Sequence, residues 1–237
     1  DELEPEQASA GIVRFTQGAN WIAFDNPAGS LARAPAGAAA LEDGRPASEL
    51  WRIERLKVEW TEQALNLIYR MARIGAAEAG PRGAATPELG SLLIDTYIDL
   101  NGVVGAGSAV TLEGRGGFLP SRDAWEYALV VSASGAALYR SNPLGRSIEA
   151  GRAPVTVDAE SRTIRVAVPR ALLRGNPMRW GYAVSASALD PDSTGKLPRP
   201  LKPESGSALL ALLGPIDTQK AAATAPKPRL PVLRAPN

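Results

Sequence analysis

Apolar and polar residues alternate with a period of two along much of the chain, the signature of half-buried strands. Leu50–Trp60 sets Trp51, Ile53, Val58 and Trp60 among charged residues, and Leu65–Met71 alternates over most of its length after a polar break at Thr61-Glu62-Gln63. This pair predicts a hairpin, with a helix across Glu59–Ile74 as the competing reading. Leu92–Leu100 is a strong strand, with Leu92, Ile94, Thr96 and Ile98 on one face and Leu93, Asp95, Tyr97 and Asp99 on the other. Further strands are expected within Ile12–Phe24, at Trp125–Val131 and Ala136–Tyr139 around a Ser134-Gly135 turn, at Val155–Val157 and Thr163–Val168, and at Trp180–Ala188. Pro169–Leu173 suits a helical turn opened by proline.

Between these strands lie long segments rich in Gly, Ala and Pro (26–46 and 75–90) that read as loops, and a glycine-dense stretch at 102–117. Short antiparallel strands with turn signals between them predict a mostly β chain, an antiparallel β-sandwich spanning residues 11–218. Residues 1–10 form an acidic arm, and the proline-rich tail 219–237 is expected to be extended.

Composition narrows the chemistry. The 237 residues contain neither Cys nor His. Ser-His and Cys-His dyads and zinc sites with Cys or His ligands are therefore excluded. With 26 basic against 25 acidic residues, nothing in the charge balance favours nucleic acid or an anionic membrane. The longest apolar stretches, Ala128–Tyr139 and Ala208–Ile216, fall short of the roughly 20 residues of a membrane-spanning helix. An opening at Asp1-Glu2-Leu3-Glu4 reads as a mature chain after signal-peptide removal, hence periplasmic or extracellular.

The segment from Leu50 to Pro215 resembles the C-terminal module of glucodextranase-type glycosidases, within the DOMON-like and family 9 carbohydrate-binding β-sandwiches. The resemblance is carried by Ile94-Asp95-Thr96-Tyr97-Ile98-Asp99-Leu100-Asn101-Gly102, Gly105-Ala106-Gly107, Asp123-Ala124-Trp125-Glu126-Tyr127-Ala128-Leu129-Val130-Val131, Val157-Asp158, Ile164-Arg165-Val166 and Trp180-Gly181-Tyr182-Ala183-Val184. It implies a non-catalytic sandwich. The family's acidic opening element is reduced here to Phe24-Asp25-Asn26-Pro27-Ala28-Gly29, and its acidic turn to Asp99-Leu100-Asn101-Gly102.

Candidate sites follow. Asp99, Asn101, Asp190 and Asp192 offer oxygen ligands of the kind a Ca²⁺ ion takes, although Asp, Asn and Gly in such runs equally make turns. No other cofactor is indicated. Trp21 and Tyr97 are the aromatic candidates for stacking on a sugar, while tryptophans in alternating strands belong by default to the core. Met71 and Met178, with Lys57, Lys196, Lys202, Lys220 or Lys227, leave a Met/Lys haem-b sandwich as a remote alternative.

Two functions are weighed. The first expectation is a structural or interaction subunit of a larger envelope assembly, whose tail residues Pro226, Pro228, Arg229, Leu230, Pro231, Leu233 and Arg234 lie along a partner protein. The alternative is a carbohydrate-binding accessory module that binds polysaccharide through an exposed aromatic beside a groove.

Overall fold

The computed structural model describes residues 13–26, 50–74, 89–141, 146–193, 195–201, 209–214 and 229–236. The arm 1–10, most of the loops 26–46 and 75–90, and Lys202, Lys220, Pro226, Lys227 and Pro228 lie outside the described residues.

Twelve strands build two antiparallel sheets. The first sheet runs in the order β1 (Arg14–Gly18), β2 (Trp21–Asp25), β3 (Ile53–Trp60), β4 (Ala64–Met71), β10 (Thr163–Pro169), β9 (Val155–Asp158). The second runs β12 (Leu209–Leu212), β11 (Gly181–Ala188), β5 (Leu92–Asp99), β6 (Tyr127–Ser132), β7 (Gly135–Ser141), β8 (Ser147–Ala153). The mostly β sandwich expected from the alternation is the observed fold.

Packing follows the period of two. Leu65, Leu67, Tyr69 and Met71 of β4 and Ile164, Val166 and Val168 of β10 point inward and meet Ile94, Ile98 and Leu129 of the second sheet. The Tyr69 hydroxyl hydrogen-bonds Thr96 Oγ1 across this core at 2.7 Å. A strand thus wins over a helix at 59–74, because β4 pairs along its whole length with β3 and β10.

The second sheet has a further layer on its other side. Leu93, Tyr97, Ala128, Val130 and Ala183 face outward, yet they are buried under Leu112, Leu119 and Trp125 from the 100–125 segment and Leu230 from the tail. Strands β5 and β11 are consequently buried along their full length on both faces. Trp125, expected to begin a strand, instead belongs to this cover: it bridges Ser108, and its indole Nε1 donates to the Val110 carbonyl at 2.8 Å. Gly107 permits that crossing, since a Cβ there would stand 2.2 Å from the Trp125 carbonyl oxygen.

The tail needs the clearest correction. Leu233 exchanges both backbone hydrogen bonds with Tyr182 of β11, at 2.8 and 2.9 Å, next to the stretch of β11 that pairs with β12. Leu230 donates its amide to the Phe118 carbonyl at 2.8 Å, and Arg229 bridges Phe118. Leu230 and Leu233 are buried. Residues 229–236 lie along the chain's own sandwich, because β11 offers an unpaired edge there and apolar side chains find cover beside it.

Candidate functional site

The aromatic candidates separate by position. Tyr97 does not reach solvent: it is fully buried on the outer face of β5, its ring 5.6 Å from that of Trp125, and its hydroxyl accepts the Leu112 amide. Burial pushes its phenol pKa well above the ordinary value, so it stays neutral. Trp21 is half-buried on the outer face of the first sheet, with the Lys57 ammonium 4.8 Å above its ring. Trp51, Trp125 and Trp180 are buried, as the default for strand aromatics predicts. Trp60, like Trp21, departs from that default: it remains half-buried at the end of β3, where the inner face of the sheet runs out.

Around Trp60 the structure forms an open cleft of about 680 Å³, lined by Asn20, Trp60, Thr61, Glu62, Arg170, Ala171, Arg174 and Gly175. Three connections converge there: the β1–β2 turn, the β3–β4 turn and the segment leaving β10. Backbone bonds tie them together, Trp60 N–H to the Asn20 carbonyl at 3.0 Å and Arg170 N–H to the Gln63 carbonyl at 2.9 Å. The Thr61 hydroxyl oxygen accepts the amides of Gln63 and Ala64 at 3.2 and 3.1 Å, fixing the β3–β4 turn.

The third wall is pinned by Arg170. Its guanidinium donates to the carbonyls of Leu173 at 2.9 Å and Gly175 at 2.6 Å and lies over the buried Trp180 ring at 5.9 Å. Gly175 takes φ 117°, and its Cα lies so close to Trp180 that a Cβ would sit 3.3 Å from the indole. A side chain there would be strained by the backbone and crowded against the indole. Leu173, fully buried, anchors the loop from below. The result is a rigid cleft whose rim presents Asn20, Glu62 and Arg174, none of which has a side-chain partner among the described residues.

The oxygen-ligand candidates are drawn into turns and ion pairs. Asp99 Oδ1 accepts the amides of Asn101 and Gly102 at 3.0 and 2.8 Å, and its Oδ2 is bonded by Arg234. Arg234 also donates to Asp123 Oδ1, from Nε at 3.1 Å and Nη2 at 2.9 Å. Asn101 accepts the Val103 amide and donates to Glu126, which also accepts the Leu100 amide and whose pKa is raised chiefly by burial. Asp190 accepts the Asp192 amide at 2.9 Å and faces Arg199, while the Asp192 carbonyl accepts from Arg199. Among the described residues no three acidic groups come together as a metal site. Arg234, expected on a partner, supplies the cation that Asp99 and Asp123 require.

The Met/Lys pairing of the haem alternative does not assemble from Met71 and Lys57. Met71 is fully buried in the core, whereas Lys57 lies on the outer face of the first sheet against Glu59 and Trp21. Met178 packs at the rim of the core, and Lys196 is exposed.

Sequence reasoning missed the cleft because its residues come from three distant segments. The one available signal was Trp60 itself, an aromatic at a strand end directly before the polar turn Thr61-Glu62-Gln63.

Residues 43–221 match the family model described as the C-terminal binding-module, SLH-like, of glucodextranase. No curated protein matches the chain. Among solved structures it is similar to a family 9 carbohydrate-binding module from Caldicellulosiruptor kristjanssonii, determined in complex with cellotriose. That likeness has 9% identity, covers 88% of this chain and 83% of that one, and has a TM-score of 0.30.

Proposed function

Because this chain belongs to the family of C-terminal, SLH-like binding modules of glucodextranase, we propose that it is a non-catalytic, extracytoplasmic polysaccharide-binding module whose site is the Trp60 cleft. The observation that carries this reading is the half-buried Trp60 in an open cleft rimmed by Asn20, Glu62 and Arg174, whose side chains have no partner among the described residues. An indole face covers the C–H face of a pyranose, while amide, carboxylate and guanidinium groups take its hydroxyls. A preformed site keeps the ordering cost of binding low, and the cross-bonded turns around Trp60 provide one. The expectation of an assembly subunit rested in part on the tail, and Leu230, Leu233 and Arg234 are engaged by the chain's own sandwich.

The test is affinity electrophoresis through gels containing soluble polysaccharides, comparing the native chain with Trp60→Ala and Trp60→Tyr. We expect retardation by at least one polysaccharide, lost in Trp60→Ala and largely kept in Trp60→Tyr, with both variants melting cooperatively. Unchanged retardation of a folded Trp60→Ala variant overturns the assignment of the cleft.

A further inference from the structure

The charges of the cleft differ from those elsewhere on the surface. Across the outer face of the first sheet basic groups sit beside carboxylates: Lys57 and Arg165 against Glu59, Arg55 against Asp25, Arg70 and Arg162 against Glu54. In the cleft this pattern stops. Among the described residues Arg170 bonds only carbonyl oxygens, which hold its guanidinium in place and bring no carboxylate to its positive charge. Arg174 is exposed and has no partner among the described residues. Against these two cations the cleft sets one carboxylate, Glu62.

We infer that the cleft takes an acidic polysaccharide, one bearing sugar carboxylates such as hexuronate residues, with Arg174 as the carboxylate-binding residue and Trp60 as the stacking platform. This rests on the polysaccharide-binding reading and names the class of ligand within it. An arginine fork matches the two oxygens of a carboxylate, and such charge-assisted bonds are about twice as strong as those between neutral groups. Arg174 is free to make that pair without first breaking another. Arg170, already fixed by Leu173 and Gly175, adds a second positive charge that needs no reordering. Glu62 opposes the anion and sets a limit on how closely the carboxylate can approach its side of the cleft.

The experiment is titration calorimetry of the native chain with polygalacturonate and alginate oligosaccharides and with neutral dextran and cello-oligosaccharides of similar length, in low salt. Arg174→Ala, Arg174→Lys and Glu62→Gln are run beside it. The expected result is about tenfold tighter binding of an acidic ligand than of any neutral one. Arg174→Ala should erase that advantage, Arg174→Lys should restore part of it, and Glu62→Gln should enhance it. Raising the salt should weaken the acidic ligand and leave neutral ones unchanged. Neutral ligands bound as tightly as acidic ones, with Arg174→Ala without effect and Trp60→Ala abolishing binding, would overturn the inference while leaving the cleft as the site. Binding of neither class would overturn both.

Discussion

On the outer face of the first sheet, Lys57, Glu59 and Arg165 lie side by side, their side chains about 29%, 30% and 48% exposed. On the outer face of the second sheet, Asp95 and Arg115 meet with both side chains at 0% exposure. The two faces come from the same alternating backbone, yet one is finished by water and the other by protein. Arg115 donates to both oxygens of Asp95, at 2.8 and 3.0 Å, and to the carbonyls of Glu113 and Pro198 at 3.1 and 2.8 Å. Its desolvation is opposed by the adjacent carboxylate, and the balance raises its pKa, so the guanidinium keeps its charge inside the cover. A solvated charge ladder tolerates the loss of any rung, whereas a buried pair demands both members.

The sharpest way to break this comparison is to remove one buried partner. Arg115→Met should cost about 3–5 kcal/mol of unfolding free energy, because the Asp95 carboxyl is left buried without its partner beneath the 100–125 segment. Adding Asp95→Leu should recover most of that loss, since an apolar pair of similar volume is often as stable as a buried ion pair. Urea unfolding of the native chain, the single and the double variant measures it. A single variant that loses less than about 1 kcal/mol, the worth of an exposed pair, would show the second face to be open to water.

The tail offers the next largest effect, because Leu230 helps to close that same face while Leu233 packs into the core between the sheets. Leu233→Ala should cost about 2–4 kcal/mol, the usual range for emptying a buried leucine site. It should also speed hydrogen exchange at the Tyr182 amide, which donates to the Leu233 carbonyl. A tail lying free of the sandwich would show neither change.

Much of this architecture was legible along the chain. The alternation of Leu92–Leu100 placed Thr96 on the inner face and Asp95 and Asp99 on the other, and the structure keeps that division. What alternation lacks is any statement of what covers the second face. Asp95 and Asp99, four residues apart on one strand, each find a different arginine, Arg115 and Arg234, from segments 20 and 135 residues away. Strand β8 escaped notice because Ser147-Ile148-Glu149-Ala150-Gly151-Arg152 has no apolar face to betray it. Strand β12 escaped because Leu209-Leu210-Ala211-Leu212 is apolar on both. The cleft was hidden for a related reason: Trp60 follows Val58 in phase on the inner face, and only the end of the sheet exposes it.

The smallest effect belongs to the solvated face, and its dependence on pH and salt separates it from the buried one. The Glu59 carboxyl is held below its ordinary pKa of 4.5, first by the hydrogen bond from Lys57 and then by the charges of Lys57 and Arg165, against the opposing effect of partial burial. A carboxyl lowered in the folded state stabilises the fold above its unfolded pKa and loses that contribution as pH falls through the folded value. Glu59→Gln should therefore cost about 0.5 kcal/mol at pH 7, the scale of an exposed ion pair, and the difference from the native chain should shrink as pH drops below about 4.5. Raising the salt to 0.5 M at pH 7 should shrink it too, because ions screen exposed charges over a few ångströms. The deficit of Arg115→Met should survive the same salt almost intact, since no ion reaches a pair sealed under the cover. Equal salt sensitivity in the two variants would mean that water and ions enter beneath the 100–125 segment, and the distinction between the two faces would fail.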